Sequence, residues 1–254
     1  MCRYVFRHLP TLGKHRKGGF DSKKNSLQVF SKSVNGIIII LTDMVRERRI
    51  NVNERFFSLP EEKQLAVING GYRVFSQNSY RKSPMSEIAA EAGISKSLLF
   101  HYFKNKRELY LFLLNHAVEN SYKYLRDFGC FEHRDFFEIL HSGLKAKVEM
   151  MKKYPDLAAF TLKGYYETDP EIRDGIQEII GRAASFKLNE KIMKIDSEKF
   201  IEGIDIHMMY MNMYLASEGY LWEKSQQGRL NVDEIEKDFV KMIDFWKQIY
   251  LRKE

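Results

Sequence analysis

The chain contains few of the residues that mark disulfide-rich or loop-rich proteins. Its 254 residues include only two cysteines, Cys2 and Cys130, which are too few for a disulfide framework and fit a reducing cytoplasm. Five prolines, fifteen glycines and the lack of any recurring alternating pattern argue against a β-sandwich. The apolar run 37–41 is far shorter than the roughly 20 residues that span a bilayer. We therefore expect a cytoplasmic protein that makes no use of a membrane.

The sequence also lacks the motifs through which many enzymes bind cofactors or metals. It contains no Gly-rich phosphate loop, nucleophile-elbow motif, paired-His helix motif or Cys-pair metal site. The remaining candidate metal ligands are histidines whose spacing does not indicate a shared ion: His116, His133, His141 and His207. We therefore expect no catalytic residues, no metal and no cofactor, and we rank an enzyme as the weakest hypothesis.

Charge is present but unevenly distributed. The chain has a net charge of +7. Residues 1–58 contain 12 Lys and Arg against 4 Asp and Glu, residues 59–110 contain 8 against 5, and residues 111–254 contain 21 against 25. The basic N-terminal part is therefore where a DNA contact is expected, whereas the mildly acidic remainder is a poor candidate for wrapping DNA.

Residues 84–103 have the pattern of a helix-turn-helix, in which two short helices flank a tight turn. Ser83 and Pro84 open the first helix, and we expect the Ser83 side chain to accept a bond from a free backbone N–H. Gly93 stands where the chain needs a left-handed conformation to leave that helix. Ser95 is placed to cap the second helix. The alternative is a helical hairpin buried in a larger core.

The second helix, from Lys96 to about Tyr102, has about the right width to enter a DNA major groove. Leu99 and Phe103 are expected to point inward. Lys96 can donate to a guanine, and Ser97 is small enough to permit close approach. Phe100 has no hydrogen-bonding group, so it could contact only thymine methyls or sugars.

Three further side chains at the end of this segment are candidates for phosphate contacts. His101 and Tyr102 can reach phosphates, which fix the position of a protein on DNA without specifying sequence. Asn105 followed by Glu108 resembles a capping box for the next helix. Lys106 then falls in the first turn of that helix, where a cation and free N–H groups suit a phosphate.

The run from Gly93 to Lys106, GISKSLLFHYFKNK, resembles the recognition-helix signature of the TetR/AcrR family of bacterial transcriptional regulators. Upstream, Leu65, Ile68, Tyr72 and Phe75 resemble the first helix of that family. The resemblance is specific over residues 59–121. It implies an all-α fold in which a three-helix DNA-binding domain precedes a helical effector-binding and dimerisation domain. With Ser86 added, the candidate DNA-binding residues are Ser86, Ser95, Lys96, Ser97, Phe100, His101, Tyr102 and Lys106.

Two features depart from the family pattern. The family usually has Tyr where this chain has Phe100, so a hydroxyl-to-phosphate bond is lost there. Gly70 and Gly71 lie inside the first helix, which each should weaken by up to about 1 kcal/mol relative to Ala.

We predict three segments: a basic N-terminal extension over 1–58, a TetR-type domain over 59–121 with its DNA-binding motif at about 84–103, and a ligand-binding and dimerisation domain over 122–254. The extension has three interpretations: a disordered basic arm that adds nonspecific phosphate affinity, a small extra element, or a stretch upstream of an internal start such as Met44. We favour the last over the first, because family members normally begin a few residues before the first helix.

From Leu109 onward, apolar residues at helical spacing predict a succession of helices. The predicted bounds are Leu109 past Tyr124, His133 to Lys153, Pro155 to near Thr168, a helix opened by Asp169–Pro170–Glu171, Glu198 to Gln226 capped by Ser197, and Val232 to Lys253.

The middle helices are rich in aromatic residues and methionine, with polar groups between them. This composition is typical of an apolar effector pocket, although ordinary core packing explains it equally well. The candidate ligand-binding residues are His141, Phe160, Tyr165, Tyr166, His207, Tyr210 and Tyr214.

The last predicted helix has apolar residues at spacings of four and three, which form a packing seam. Two such C-terminal helices and their copies in a second subunit would form a four-helix bundle. The alternative is packing within one chain. The candidate interface residues are Ile235, Phe239, Met242, Trp246 and Ile249.

These observations favour a ligand-responsive, sequence-specific transcriptional regulator, a repressor, that binds a near-palindromic operator as a homodimer and responds to an unidentified small molecule. The alternative is a helical protein that binds DNA without sequence preference, for which the basic segment 1–58 is the best support. Deletion of residues 1–43 distinguishes them, because specific binding should survive and nonspecific coating should not.

Overall fold

A computed structural model of the chain describes residues 52–184, 195–228 and 231–253, without the side chains of 182–184 and 207. Within those ranges the protein is built from helices, with two isolated β-bridges and no strands. The helices are α1 Glu54–Phe57, α2 Glu61–Gln77, α3 Met85–Glu91, α4 Lys96–Tyr102, α5 Lys106–Asp127, α6 Phe136–Lys153, α7 Leu157–Tyr165, α8 Arg173–Ala184, α9 Ile206–Gln226 and α10 Val232–Tyr250. The expected all-α fold is therefore confirmed.

Helices α2, α3 and α4 form a compact head on the N-terminal part of α5. Its core contains fully buried side chains from each helix, including Tyr72, Ile88, Leu99 and Leu113. Leu99 and Phe103 point inward as predicted, with no exposed surface. The helix-turn-helix is thus attached to the rest of the protein through the same core that holds it together.

The glycine pair in α2 has a packing role. A Cβ atom on Gly70 would lie 3.0 Å from the backbone nitrogen of Ala92, and one on Gly71 would lie 2.5 Å from Cδ1 of Leu113. These glycines let α3 and α5 approach α2 closely, so the helix propensity that they cost is compensated by contact between helices.

The turn of the helix-turn-helix forms largely as its residues predict. Gly93 has a φ of +67° and Ser95 caps α4 by accepting from the backbone N–H of Leu98 at 3.1 Å. The expectation for Ser83 is wrong. Its hydroxyl group donates to the carbonyl of Ser79 at 2.9 Å, and Pro84 occupies the cap position without a side-chain bond. Because Ser83 is fully buried, its hydroxyl group needs a hydrogen-bond partner within the protein, and the preceding loop provides it.

Residues 52–58, which the sequence analysis assigned to the N-terminal extension, pack against the head. Asn53 caps the short helix α1, and the side chain of Phe56 is completely buried. Val52 forms an antiparallel bridge with Phe103. Packing in the head therefore begins before residue 59. The predictions for residues 1–51 lie outside the described residues.

Helices α6 to α10 form the body, with α6 between α5 and α10. Several helices begin or end at residues other than those predicted, because local capping and turn residues set their ends. Asp135 caps α6, which therefore begins at Phe136 and not near His133. Helix α7 ends at Tyr165, before Thr168, and α8 begins at Arg173 after a turn held by Asp169, whose carboxylate accepts from the N–H of Glu171.

The predicted continuous helix from Glu198 to Gln226 is wrong. Ser197–Lys199 form one 3₁₀ turn, capped by Asp196, and Phe200 then pairs with Leu251 in an isolated bridge. Gly203 has a φ of +74°, which interrupts a helix, and α9 begins only at Ile206. The C-terminal end of α10 is thereby fastened to the segment that precedes α9.

None of the helices in the described ranges combines the length and the apolar character needed to cross a membrane.

Candidate DNA interface and effector cavity

The recognition helix α4 presents one edge to solvent. Lys96, Ser97 and His101 are exposed, and the ring of Phe100 is 40% exposed. Lys96 Nζ lies 6.0 Å from the centroid of the Phe100 ring, so the cation and the apolar ring lie side by side. Ser95, at the start of the helix, and Ser86, in α3, are also exposed. Six of the eight predicted DNA-binding residues are thus accessible, and their contacts with DNA remain a prediction.

Tyr102 does not project as expected. Its side chain is 6% exposed, and its ring packs against that of Phe56 with centroids 5.7 Å apart. The last turn of α4 faces α1, a helix that the sequence analysis did not anticipate. Tyr102 therefore belongs to the packing of the head and not to the exposed edge of α4.

Lys106 also has a different role. Its ammonium group donates to the backbone carbonyls of Tyr80 and Arg81, at 2.8 and 3.3 Å, and lies 4.3 Å from the centroid of the Tyr80 ring. Asn105 caps α5 by accepting from the N–H of Glu108, as predicted. The ammonium group of Lys106 therefore already has hydrogen-bond partners in the loop before α3, in place of the phosphate contact that the sequence predicted.

Arg55 is a candidate that the sequence analysis missed. Its Nη1 lies 3.4 Å from Nε2 of His101, and Asn53 donates through its side chain to the carbonyl of His101 at 3.2 Å. An exposed guanidinium therefore stands at the C-terminal end of the recognition helix. An Asn cap followed by Phe56 and Phe57 was the signal that could have predicted this short helix.

The body contains a partly open cavity of about 230 Å³ that is lined by residues of α5 to α10. Its lining is mainly aliphatic and aromatic, with Leu144 and Val148 on α6 and Ile243 and Trp246 on α10. A cavity is therefore present in the part of the chain where the sequence predicts an effector pocket.

Only some of the predicted ligand-binding residues are found in the wall of the cavity. Tyr165 and Tyr210 line it. Phe160 packs away from it, against Tyr72 and Tyr110, and Tyr166 is 58% exposed beside Trp222. The remaining candidates are His141 and Tyr214, which are not part of the lining, and His207, whose side chain lies outside the described residues.

The predicted dimer seam on α10 mostly faces its own chain. Ile235, Phe239 and Trp246 line the cavity, and Met242 is half-buried against the same core. Only Ile249, 43% exposed, is on the surface among the five. The seam spacing identified the buried side of the helix correctly, and within the single chain this side packs against the chain's own residues, as the alternative interpretation expects.

Helix α7 stands between the cavity and the head. Leu157, Thr161 and Tyr165 contribute to the cavity wall. On its other side, Phe160 packs against Tyr72 of α2 with ring centroids 5.1 Å apart. Lys163 donates to the carbonyl of Ser76, at the end of α2, over 3.0 Å.

The segment after α7 binds the loop that leads into α3. The side chains of Arg81 and Asp169 form a salt bridge at 2.5 Å, and Glu167 accepts from the backbone N–H of Tyr80 at 3.1 Å. A change at the cavity therefore has a contiguous route of packed and hydrogen-bonded groups to the helix-turn-helix.

No cluster of three or more His, Cys, Asp or Glu side chains suited to a metal ion occurs within the ranges that the structure describes.

Comparison with known proteins agrees with this geometry. Residues 67–112, which span most of α2 through the first turns of α5, match the family model of bacterial regulatory proteins of the tetR family. The helix-turn-helix part of the chain thus resembles the DNA-binding domain of the TetR family. A TetR family transcriptional regulator from Chloroflexus aurantiacus has the same fold, with a TM-score of 0.56 and 23% identity over 80% of this chain and 99% of that one.

Two curated relatives are also transcriptional or metabolic regulators by name. The chain is 38% identical over 69 residues to the HTH-type transcriptional activator FasR of Mycolicibacterium smegmatis, covering 27% of this chain and 32% of FasR. It is 23% identical over 146 residues to the fatty acid metabolism regulator protein of Bacillus subtilis, covering 58% of this chain and 75% of that one. The first match spans only about a third of the length of its relative.

Proposed function

We propose that the protein is a sequence-specific, ligand-responsive transcriptional regulator that acts in the cytoplasm, where bacterial DNA lies. The observation that carries this proposal is the exposed edge of α4, with Lys96, Ser97 and His101 presented on a helix whose start is fixed by the Ser95 cap. Such a helix fits a major groove, where its first residues meet base edges.

A binding assay with DNA from upstream of the protein's own gene tests the proposal. We expect tight binding that weakens steeply with salt, and a marked preference over a scrambled duplex of the same composition. Equal affinity for both duplexes would instead favour the second candidate, a DNA-coating protein, which the excess of basic residues in 1–58 supports. The variant lacking residues 1–43 separates the two in the same assay.

We propose that the regulator is a homodimer. The support is a set of apolar side chains that the single chain leaves exposed on α9 and α10: Met208 at 62%, Leu215 at 55%, Phe245 at 59% and Ile249 at 43%. Met208 and Leu215 are seven residues apart on α9, and Phe245 and Ile249 are four apart on α10, so each pair shares one face of its helix. Exposed apolar faces of this kind are typical of protein interfaces. Pairing of these helices with their copies would present two recognition helices to half-sites about 34–36 Å apart.

We propose repression as the outcome, with release by a small ligand in the cavity. The route from the cavity through α7 to α2 and the loop before α3 supports coupling between the two sites. FasR is named an activator, so transcription from the upstream promoter must be measured with and without the protein. Lower transcription with the protein present supports repression, and higher transcription contradicts it.

A further inference from the structure

The cavity has one feature that does not suit a purely apolar ligand. Lys147, on α6, is among its lining residues and is the one charged side chain in that lining within the described parts of the chain. Its neighbours in the wall include Leu144, Val148 and Tyr210. Lys147 is half-buried, and a cation that is partly removed from water among apolar groups favours a compensating partner.

The described residues supply only weak compensation. None of the salt bridges among them includes Lys147. Its electrostatic neighbours are the carboxyl group of Glu218 and the thiol group of Cys130. Burial lowers the pKa of Lys147 to about 8, and burial raises the pKa of Glu218 to about 7, an effect that Lys147 opposes. At pH 7 Glu218 is therefore only partly ionised and does not fully compensate the charge of Lys147.

Building on the proposed function, we propose that the effector is a monocarboxylic acid with a compact apolar body, whose carboxylate pairs with Lys147. The apolar wall formed by residues such as Leu157, Ile243 and Trp246 would bury the body of the acid. A charge-assisted hydrogen bond to the ammonium group would satisfy both the ligand and the lysine.

Charge and volume both limit the class of ligand. A neutral ligand would displace water and leave the ammonium group with only the partly ionised Glu218 as a charged neighbour, whereas an amine would add a second cation. The cavity volume of about 230 Å³ lies below the roughly 300–1,000 Å³ of pockets that bury drug-sized ligands. A single negative charge on a small body is the combination that this lining matches.

The experiment uses calorimetric titration of the full chain with three acids, hexanoate, octanoate and phenylacetate, and with the alcohol that matches each in shape. For at least one pair, we expect the acid to bind roughly ten- to a hundredfold more tightly than its alcohol, the size of one charge-assisted hydrogen bond. Octylamine should bind no better than octanol. The proposal is overturned if no acid is preferred over its alcohol.

Three variants isolate the role of the ammonium group. Lys147→Met keeps the length of the side chain without its charge and should reduce the preference for acid to within about threefold, whereas Lys147→Arg should retain it. Lys145→Met removes an exposed charge from the same helix and should leave the preference unchanged. Retention of the preference by Lys147→Met would overturn the proposal. Thermal unfolding checks that the variants fold, and the acid–alcohol comparison on the unmodified chain decides the matter if they do not.

Operator binding, measured on the same samples, separates this inference from the proposed function. An acid that binds through Lys147 without changing operator affinity supports the carboxylate site and contradicts ligand-controlled DNA binding. Release of the operator by a neutral compound that binds Lys147→Met as tightly as the unmodified chain supports regulation and contradicts the carboxylate site.

Discussion

The hydroxyl group of Tyr72 lies 2.8 Å from Nδ1 of His116, and this hydrogen bond joins α2 of the head to the middle of α5. The same hydroxyl group donates to the carbonyl of Leu113 at 3.1 Å. His116 also packs edge-on against Tyr154, at the end of α6, with ring centroids 5.2 Å apart. A half-buried histidine thus lies where the head, α5 and α6 meet.

The environment of His116 predicts a pH-dependent stability. Burial, with a smaller contribution from Lys153, lowers its pKa to about 4. The folded protein therefore binds this proton less readily than the unfolded chain, whose histidines have a pKa of about 6.5. The resulting stability is fully present above about pH 6.5 and is lost as the pH falls towards 4, by roughly 2 kcal/mol between pH 7 and pH 5.

Denaturant unfolding at pH 7 and pH 5, at a fixed protein concentration, measures this effect. His116→Phe removes the titrating group and should lose less stability over that interval than the unmodified chain. His133 is exposed, so His133→Gln should behave as the unmodified chain does. An unchanged pH dependence in His116→Phe would show that this histidine is not responsible.

Two Gly→Ala substitutions should have opposite effects. In Gly71→Ala the new methyl group meets Cδ1 of Leu113 at 2.5 Å, and Leu113 has no exposed surface towards which to move. We expect a net loss of about 1 kcal/mol, because overpacking costs about 1–3 kcal/mol and exceeds the gain in helix propensity. Gly181, in α8, has no neighbour among the described residues within 4 Å of such a Cβ atom, so Gly181→Ala should stabilise the protein by up to about 1 kcal/mol. Denaturation midpoints show whether each variant is more or less stable than the unmodified chain. Stabilisation by Gly71→Ala would contradict the close approach of α2 and α5.

Lys104 and Lys106 should differ although both are basic and close in sequence. Lys104 is exposed after α4, and Lys104→Ala should weaken binding to all DNA sequences and reduce the slope of log K against log salt by about 1. Lys106→Met removes the bonds to the carbonyls of Tyr80 and Arg81, and should lower stability while leaving that slope unchanged. Salt titrations of operator binding separate them, and a reduced slope in Lys106→Met would restore Lys106 as a phosphate ligand.

Substitution of Phe245 tests the proposed dimer. A glutamate at this 59% exposed position of α10 would bring like charges together across a symmetric interface, so Phe245→Glu should sediment as a monomer at micromolar concentration. Phe57, 56% exposed on the head, provides the control, because Phe57→Glu should remain dimeric. A dimer that survives Phe245→Glu would place the interface elsewhere.

Local signals made the helix-turn-helix predictable. Gly93, Ser95 and the inward spacing of Leu99 and Phe103 act within a few residues of one another, so their pattern determined both the turn and the bounds of α4. The burial of Tyr102 could not be predicted in the same way, because it depends on α1, which packs against it from an earlier part of the chain.

Distant contacts also explain the errors in the body. The periodicity of α10 showed that Ile235 and Trp246 share a buried face, but it did not show whether a partner chain or the same chain covers them. Lys147 was not predicted as a ligand-binding residue, because a single lysine in a helix is usually exposed to solvent. Only the three-dimensional arrangement places it in an apolar cavity.

The two-sided position of α7 has a thermodynamic consequence. Leu157 and Thr161 face the cavity while Phe160 and Lys163 hold α2, so one short helix contributes to both sites. If an effector lowers the affinity for operator DNA by a given factor, the operator must lower the affinity for the effector by that same factor. DNA-bound copies would then respond only to higher effector concentrations than free copies, and the concentration at which a promoter responds would depend on how tightly its own operator is bound.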